Sequence, residues 1–373
     1  MRKTRFLLSF ILFPVSLIYG VVVFIRNKFY DYNIFSSHSF NIPVIAIGNI
    51  TVGGTGKTPH VEYLAGLLKK EFGPAILSRG YKRKSRGFQW AEVNSTVDQI
   101  GDEPLQIKNK FPDLAVAVDR KRVKGINKLI DSLEDLDVVL LDDAYQHRKV
   151  QANLSILLID YNRPINKDFL LPLGNLREQV FEKKRANIII VTKAPPELQP
   201  IQRRVMLNHL KPYPYQKVFF TTLDYAAPEP VFKSKRDAQE HKQEDTFQFD
   251  EHTNILLVTA IADPRPLKKY LEENVSKKIY SIKFADHRKF SSLDMEKIHK
   301  RYVKLEGKNK VVITTEKDAV RLRESMHINS DMKHAFYYIP IKVRFLNNRT
   351  DDFNKQIVEY VRKNKKHSFL YPQ

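Results

Sequence analysis

The 373-residue chain contains no cysteine, so disulfides, thiolate nucleophiles and cysteine-ligated metal sites are excluded at once. It shows no internal repeat and no recognisable nucleic-acid-binding module, and it carries only a partial echo, at Val191-Thr192-Lys193, of the Asn-Lys-x-Asp motif that reads guanine. It is short of negative charge. Sixty-three Lys and Arg stand against 42 Asp and Glu, a formal net charge of +21, which points to an anionic partner: nucleic acid, a phosphate-rich ligand or an acidic membrane surface.

The charge is missing altogether from Phe6 to Ile25, a run of roughly 20 residues, which is long enough to cross a bilayer. Arg2, Lys3 and Arg5 precede it, and Arg26 and Lys28 follow it. A secretory signal would end in small residues, whereas Val21-Val22-Val23-Phe24-Ile25 runs directly into Arg26. Membrane association is the expectation. The segment either spans the bilayer or lies in the interface, with Pro14 a natural bending point.

After a polar and aromatic connector, apolar runs alternate with helical stretches. Pro43–Ile47, Ala75–Leu77, Ala115–Val118, Val138–Leu141, Ile156–Ile159 and Ile188–Val191 read as strands buried on both faces. His60–Lys70 and Lys121–Leu133 read as helices between them. The alternation predicts an α/β/α sandwich of P-loop NTPase type, with a second, smaller α/β domain and an apolar N-terminal helix. The expected boundaries are 1–30 for the helix, 41–212 for the nucleotide-binding domain, 213–252 for a linker or hairpin, and 253–373 for the second domain.

The strongest chemical signal is Gly48-Asn49-Ile50-Thr51-Val52-Gly53-Gly54-Thr55-Gly56-Lys57-Thr58, between a strand and a helix. Glycines let main-chain N–H groups converge on phosphate oxygens, at the positive end of the following helix. Thr51 to Thr58 are the expected nucleotide contacts: Thr51, Val52, Gly53, Gly54, Thr55, Gly56, Lys57 and Thr58. Lys57 would reach the β- and γ-phosphates, and the Thr58 hydroxyl would ligate Mg²⁺. The strict pattern has glycine where this chain has Thr51, so the loop is a variant one. A strand ending in Asp142-Asp143 is the usual partner of such a loop in holding magnesium, and the spacing leaves open which carboxylate touches the metal. Gly101-Asp102-Glu103-Pro104 permits two readings: Asp102 as a helix cap, or as a general base toward an acceptor hydroxyl. Arg79 in Ser78-Arg79-Gly80-Tyr81 and one of the cations in Asp119-Arg120-Lys121-Arg122 are candidates to meet phosphate.

These motifs, followed by DDAYQH, LPLGNLRE, Ala285-Asp286-His287 and TTEKDAVRL at 314–322, resemble in their order the tetraacyldisaccharide 4′-kinase family, the lipid A 4′-kinases of Gram-negative bacteria. The resemblance covers most of the chain. It implies transfer of the γ-phosphate of ATP to the 4′-hydroxyl of a tetraacylated glucosamine disaccharide 1-phosphate, giving lipid IV-A. It implies Asp102 as catalytic base working with His287, with Lys57 and Arg120 as catalytic cations. Thr58, Asp142, Asp143 and Glu178 become the expected metal set. Asn49, Arg79, Tyr81, Glu103, Gln146, His147 and Arg177 become the expected substrate-side set. Departures from the family pattern fall at Lys82 and Arg83, Ala144, Tyr145 and Asn175. The implied location is the cytoplasmic face of the inner membrane, anchored by the N-terminal apolar segment. Two other classes compete: a nucleic-acid-dependent NTPase, which the charge would suit, and a GTP-driven metallochaperone, which shares the Gly-Gly-Thr-Gly-Lys-Thr loop. Salt-sensitive nucleic-acid binding or a preference for GTP would distinguish them.

Overall fold

The computed structural model describes residues 2–232, 249–286, 288–307 and 309–370. The chain divides into two compact units: residues 1–223 with 343–373, and residues 224–342.

The first unit is built on a nine-stranded sheet. Its strands are β1 (Val44–Gly48), β2 (Pro74–Ser78), β3 (Gln89–Trp90), β4 (Ala115–Val118), β5 (Val138–Leu141), β6 (Leu154–Asp160), β7 (Ile188–Thr192) and β8 (Lys217–Tyr225), with β14 (Ile341–Phe345) at one edge. The order is β14-β8-β7-β6-β1-β5-β2-β4-β3. Strands β1, β2, β5 and β7 are buried at every position, as their unbroken β-branched and leucine runs predict. The pairs from β8 through β4 run parallel, and the short β3 is antiparallel to β4. One consequence decides the function. All the loops at the carboxyl ends of β1, β2, β4, β5, β6 and β7 open on the same edge of the sheet, where ligands of open α/β sheets bind.

Helices fill both faces: α2 (Lys57–Leu68), α3 (Val97–Ile100), α4 (Asp102–Lys110), α5 (Arg122–Ser132) and α6 (Pro200–Leu210). In α2, Val61, Leu64, Ala65 and Leu68 are fully buried at helical spacing. Each such aliphatic residue contributes about 1.5–3 kcal/mol when removed from water. The N-terminal helix α1 (Arg2–Asp31) has Pro14 within it, and the chain continues helical on both sides.

The second unit is a five-stranded sheet, β11-β10-β12-β13-β9. It comprises β9 (Glu229–Pro230), β10 (Asn254–Thr259), β11 (Ile279–Lys283), β12 (Lys310–Thr315) and β13 (Phe336–Ile339), with helices α7 (Arg265–Asn274), α8 (Ser292–Val303) and α9 (Glu316–Arg323). Strand β13 pairs antiparallel with β9, the return to the connecting segment that the aromatic run at 336–345 suggests.

Two boundaries differ from those expected. Residues 217–225 are not linker but a nine-residue strand, parallel to β7 in register Ile188↔Lys217 to Val191↔Phe220. Residues 343–373 do not belong with the second unit. Pro340, which has no N–H to extend a ladder, separates β13 from β14, and the chain then returns to the first sheet and ends in α10 (Thr350–Leu370).

Candidate active site

The phosphate loop leaves β1 and enters α2 through Gly56, whose φ of +84° is open to glycine at little cost. No acidic residue occupies the first turn of α2, so the positive end of the helix is left for an anion. The loop is braced from several directions. Asn49 Nδ2 donates to Thr55 Oγ1 at 2.9 Å, and Thr192 Oγ1 donates to the Thr55 carbonyl at 2.9 Å. Lys193 donates to the Gly54 carbonyl and pairs with Asp160 at 2.9 Å. Arg163 donates to the Val52 carbonyl at 3.3 Å. Asn49, expected on the substrate side, is fully buried, and its side chain serves the loop itself.

His60 closes the far end of this brace. Its Nδ1 lies 2.7 Å from the Gly56 carbonyl and its Nε2 3.0 Å from Thr221 Oγ1 on β8. Burial depresses its pKa from 6.5 to about 4. The unfolded chain therefore binds a proton between pH 6.5 and 4 that the folded chain rejects. This contribution to stability is complete above pH 6.5 and is lost as pH falls toward 4, at up to about 1.4 kcal/mol per pH unit. Urea unfolding at pH 7, 6 and 5 should show the decline, and His60→Gln should flatten it; an unchanged slope would remove His60 from the account.

The arm that leads into the loop explains Thr51. Thr51 bridges Leu176 in antiparallel fashion, Val52 N donates to the Asn175 carbonyl at 2.8 Å, and Arg177 N donates to the Ile50 carbonyl at 2.7 Å. Position 51 thus belongs to a small ribbon with the 170–178 segment, and the phosphate cradle begins at Gly53. Side chains alternate along such a ribbon. Arg177 faces Asp143, with Nη1 3.2 Å from Oδ1. Glu178 faces the other way, is buried, and pairs with Arg185, which also meets Glu182 at 2.9 Å. Glu178, expected in the metal set, thus lies in a buried ion-pair cluster with Arg185 and Glu182.

At the end of β5, Asp143 takes a left-handed φ of +47°, which aspartate tolerates better than most residues. Lys57 Nζ lies 3.5 Å from its Oδ1. Burial alone would raise the Asp143 pKa, but Lys57 and Arg177 outweigh it and hold the carboxyl below the usual range. Asp142 behaves oppositely. Complete burial, with Glu103 and Asp143 nearby, pushes its pKa up despite Lys57 and Arg122. Ser78 Oγ donates to its Oδ2 at 3.3 Å, and its Oδ1 is buried with no hydrogen-bond partner among the described residues. A carboxylate oxygen held in that state suits a cation.

Of the Arg120-Lys121-Arg122 cations, the one built into the site is Arg122. Arg122 is 3% exposed, and its guanidinium donates to the Asp142 carbonyl at 2.9 Å and to the Asp119 carbonyl at 2.5 Å. Burial lowers its pKa to about 10, so it remains a cation. Arg120, expected to be catalytic, stays exposed in the turn before α5. The signal that would have distinguished them is the start of α5 at Arg122, which turns that side chain toward the sheet.

Asp102 is the first residue of α4 and is 3% exposed. Gly101, not Asp102, occupies the cap position, so the capping interpretation does not hold. Gly80 and Gly101 bring this segment against the end of β2. A Cβ on Gly80 would lie 2.8 Å from the Ile100 carbonyl, and one on Gly101 3.1 Å from the Tyr81 carbonyl. Only backbone this bare permits Asp102 and Glu103 to reach the carboxyl edge of the sheet. Arg79 and Tyr81 are exposed there. Gln146 donates to the Asn49 carbonyl at 2.8 Å. The His147 pKa falls to about 4, through burial first and then the Arg122 and Arg79 charges. His287 lies outside the described residues; beside it, Arg288 forms a two-pronged pair with Asp294 at 3.0 Å.

A P-loop at the end of β1, a doubly acidic strand end beside it and cations on both sides define a P-loop phosphotransferase. A family model described as tetraacyldisaccharide-1-P 4′-kinase matches residues 8–362. The chain is 47% identical over 359 residues to a tetraacyldisaccharide 4′-kinase of Phocaeicola vulgatus, covering 96% of each chain. It is 42% identical to that of Flavobacterium johnsoniae, covering 96% of this chain and 98% of the relative. A crystal structure of LpxK from Aquifex aeolicus, described as in complex with ATP, superposes with a TM-score of 0.70 at 26% identity, covering 95% of this chain and 99% of that one. The chain belongs to the tetraacyldisaccharide-1-P 4′-kinase family, and is a kinase of lipid A biosynthesis.

Proposed function

We propose that the enzyme transfers the γ-phosphate of ATP to the 4′-hydroxyl of tetraacyldisaccharide 1-phosphate, forming lipid IV-A, at the cytoplasmic face of the inner membrane. The observation that carries this reading is the convergence of Lys57, Asp142, Asp143 and Arg122 at one sheet edge, with Asp102 brought to the same edge. The Aquifex aeolicus relative's ATP supports the choice of nucleotide.

Thr58 and Asp142 would hold Mg²⁺, the orphaned Asp142 Oδ1 being the best-placed protein ligand. The described residues hold no cluster of three or more acidic or histidine ligands, in keeping with a magnesium ion that draws most of its shell from phosphate and water. Bound there, the metal would neutralise charge on the β- and γ-phosphates. Lys57 would attract the γ-phosphate, with Asp143 and Arg177 holding its ammonium in place. The 4′-oxygen forms its bond to the γ-phosphorus as the bridging oxygen leaves with ADP, and Asp102 accepts the hydroxyl proton. His287 would assist Asp102. Arg79, Tyr81, Glu103, Gln146 and His147 would line the acceptor side.

The acceptor's four acyl chains hold it in the bilayer, since each buried CH₂ is worth about 0.8 kcal/mol. Helix α1 supplies the matching surface. Within its Phe10–Asp31 segment an 18-residue window has a mean hydropathy of 1.9, and only 17% of that window is buried. One face of it is bonded to the folded unit, which favours a helix lying in the interface over one crossing the bilayer. The positive excess would draw the body to anionic lipid.

The test is transfer of labelled γ-phosphate from ATP to the purified disaccharide 1-phosphate in mixed micelles. Wild-type protein should give a labelled product at the 4′-position. Lys57→Ala should lower turnover by at least about 10², the scale on which a phosphate-stabilising donor acts. Absence of product from the wild type, or a preference for GTP, would overturn the assignment.

A further inference from the structure

Helix α1 has two faces of different chemistry. The outer one is apolar and open: Ile11, Ile18 and Val22 are each at least 60% exposed. An anchor needs only that face. The inner one carries polar groups at helical spacing, and among the described residues it bonds to two segments, 146–148 and 170–179, with an Asp31–Lys184 pair besides. Ser16 Oγ donates to the Leu170 carbonyl at 2.8 Å, Tyr19 OH to the Arg177 carbonyl at 2.8 Å, and Arg26 Nη2 to the Gln146 carbonyl at 2.8 Å.

Two of those acceptors belong to residues that brace the phosphate site. Arg177 holds Asp143 through its guanidinium and the phosphate-loop arm through its N–H to the Ile50 carbonyl. Gln146 holds the Asn49 carbonyl, and its Oε1 lies 3.5 Å from Arg177 Nη1. Each residue is thus fixed on one side by the site and on the other by α1. Packing at Gly20 keeps the helix close, since a Cβ there would lie 2.7 Å from Leu170 Cδ1.

We infer that α1 is part of the phosphotransfer machinery as well as a membrane element. Tyr19 and Arg26 are positioning residues: acting through the main chain of Arg177 and Gln146, they set Asp143 and the arm of the phosphate loop. A displaced α1 would release both carbonyls, and small misplacements of a phosphate-binding constellation are costly to turnover. The inference rests on the proposed kinase reaction for its rate readout, and on nucleotide binding alone for a second one.

The experiment uses the full chain with Tyr19→Phe, which removes one hydroxyl, Arg26→Lys, which keeps the charge and loses the planar fork, and the double variant. Measured in saturating mixed micelles, each single change should lower kcat by about two- to tenfold, the range of one net hydrogen bond, and the double change by more. Affinity for a fluorescent ATP analogue should fall over the same range. Co-sedimentation with anionic vesicles should stay at the wild-type level, which a purely anchoring role would not predict. A double variant with wild-type kcat and wild-type nucleotide affinity overturns the inference, and so does a loss that tracks vesicle binding. Absence of transfer by the wild type would count against the proposed reaction instead, and nucleotide affinity would still decide the role of α1.

Discussion

Replacing Asp102 with asparagine is expected to lower phosphate transfer by about 10²–10⁴ while leaving nucleotide affinity near that of the wild type, the range that a positioned general base supplies. The substitution is nearly isosteric at a site that tolerates little else. Asp102 is 3% exposed, and the close approach of Gly80 and Gly101 fixes the backbone that carries it. Its Oδ1 accepts from Glu103 N at 3.0 Å, a bond that an amide oxygen can reproduce. What asparagine cannot do is take up the hydroxyl proton. Glu103 is the obvious rival for that task, since its charge reaches Asp142. The pair Asp102→Asn and Glu103→Gln therefore discriminates: the larger loss in kcat identifies the base. Retention of more than about a tenth of wild-type kcat by Asp102→Asn would remove it from that role.

The parts of this site that could be read in advance are those encoded within a few residues. The strand–loop–helix run from Val44 to Leu68 places Lys57 and Thr58 by itself, and the apolar strand before Asp142-Asp143 locates the second acid cluster. Contacts between distant segments were not legible. Nothing near Thr51 announces that it pairs with Leu176, yet that ribbon explains the absent glycine. The same ribbon separates Arg177 from Glu178, neighbours in sequence that face opposite ways. Arg120 and Arg122 are equivalent as letters and differ only once α5 begins at one of them. Bonds from α1 to residues 146 and 177 join elements more than 100 positions apart, as the 120- and 158-residue separations show. Apolar character marks α1 as long and apolar enough for a membrane; it does not reveal what the inner face holds.

The return of the chain to the first sheet leads to the largest stability effect. Phe353 at the start of α10 is 1% exposed and stacks on Phe345 of β14 with ring centroids 4.3 Å apart. It meets Phe219 of β8 edge-on at 5.2 Å and Tyr63 of α2 at 6.2 Å. Tyr63 OH donates to Asn354 Oδ1 at 2.7 Å, and Arg349 lies over the Phe219 ring at 4.3 Å while donating to the Val218 carbonyl at 2.9 Å. This aromatic cluster joins the helix after the phosphate loop to the last segment of the chain. Phe353→Ala should cost about 3–5 kcal/mol, because no neighbour in so tight a cluster can collapse into the space. For a unit of this size that corresponds to a fall of roughly 6–20 °C in unfolding temperature. The transition to follow is the one that nucleotide raises, since only the phosphate-loop unit should respond to ATP. If residues 343–373 served the second unit instead, Phe353→Ala would leave the nucleotide-sensitive transition where it is and lower the other.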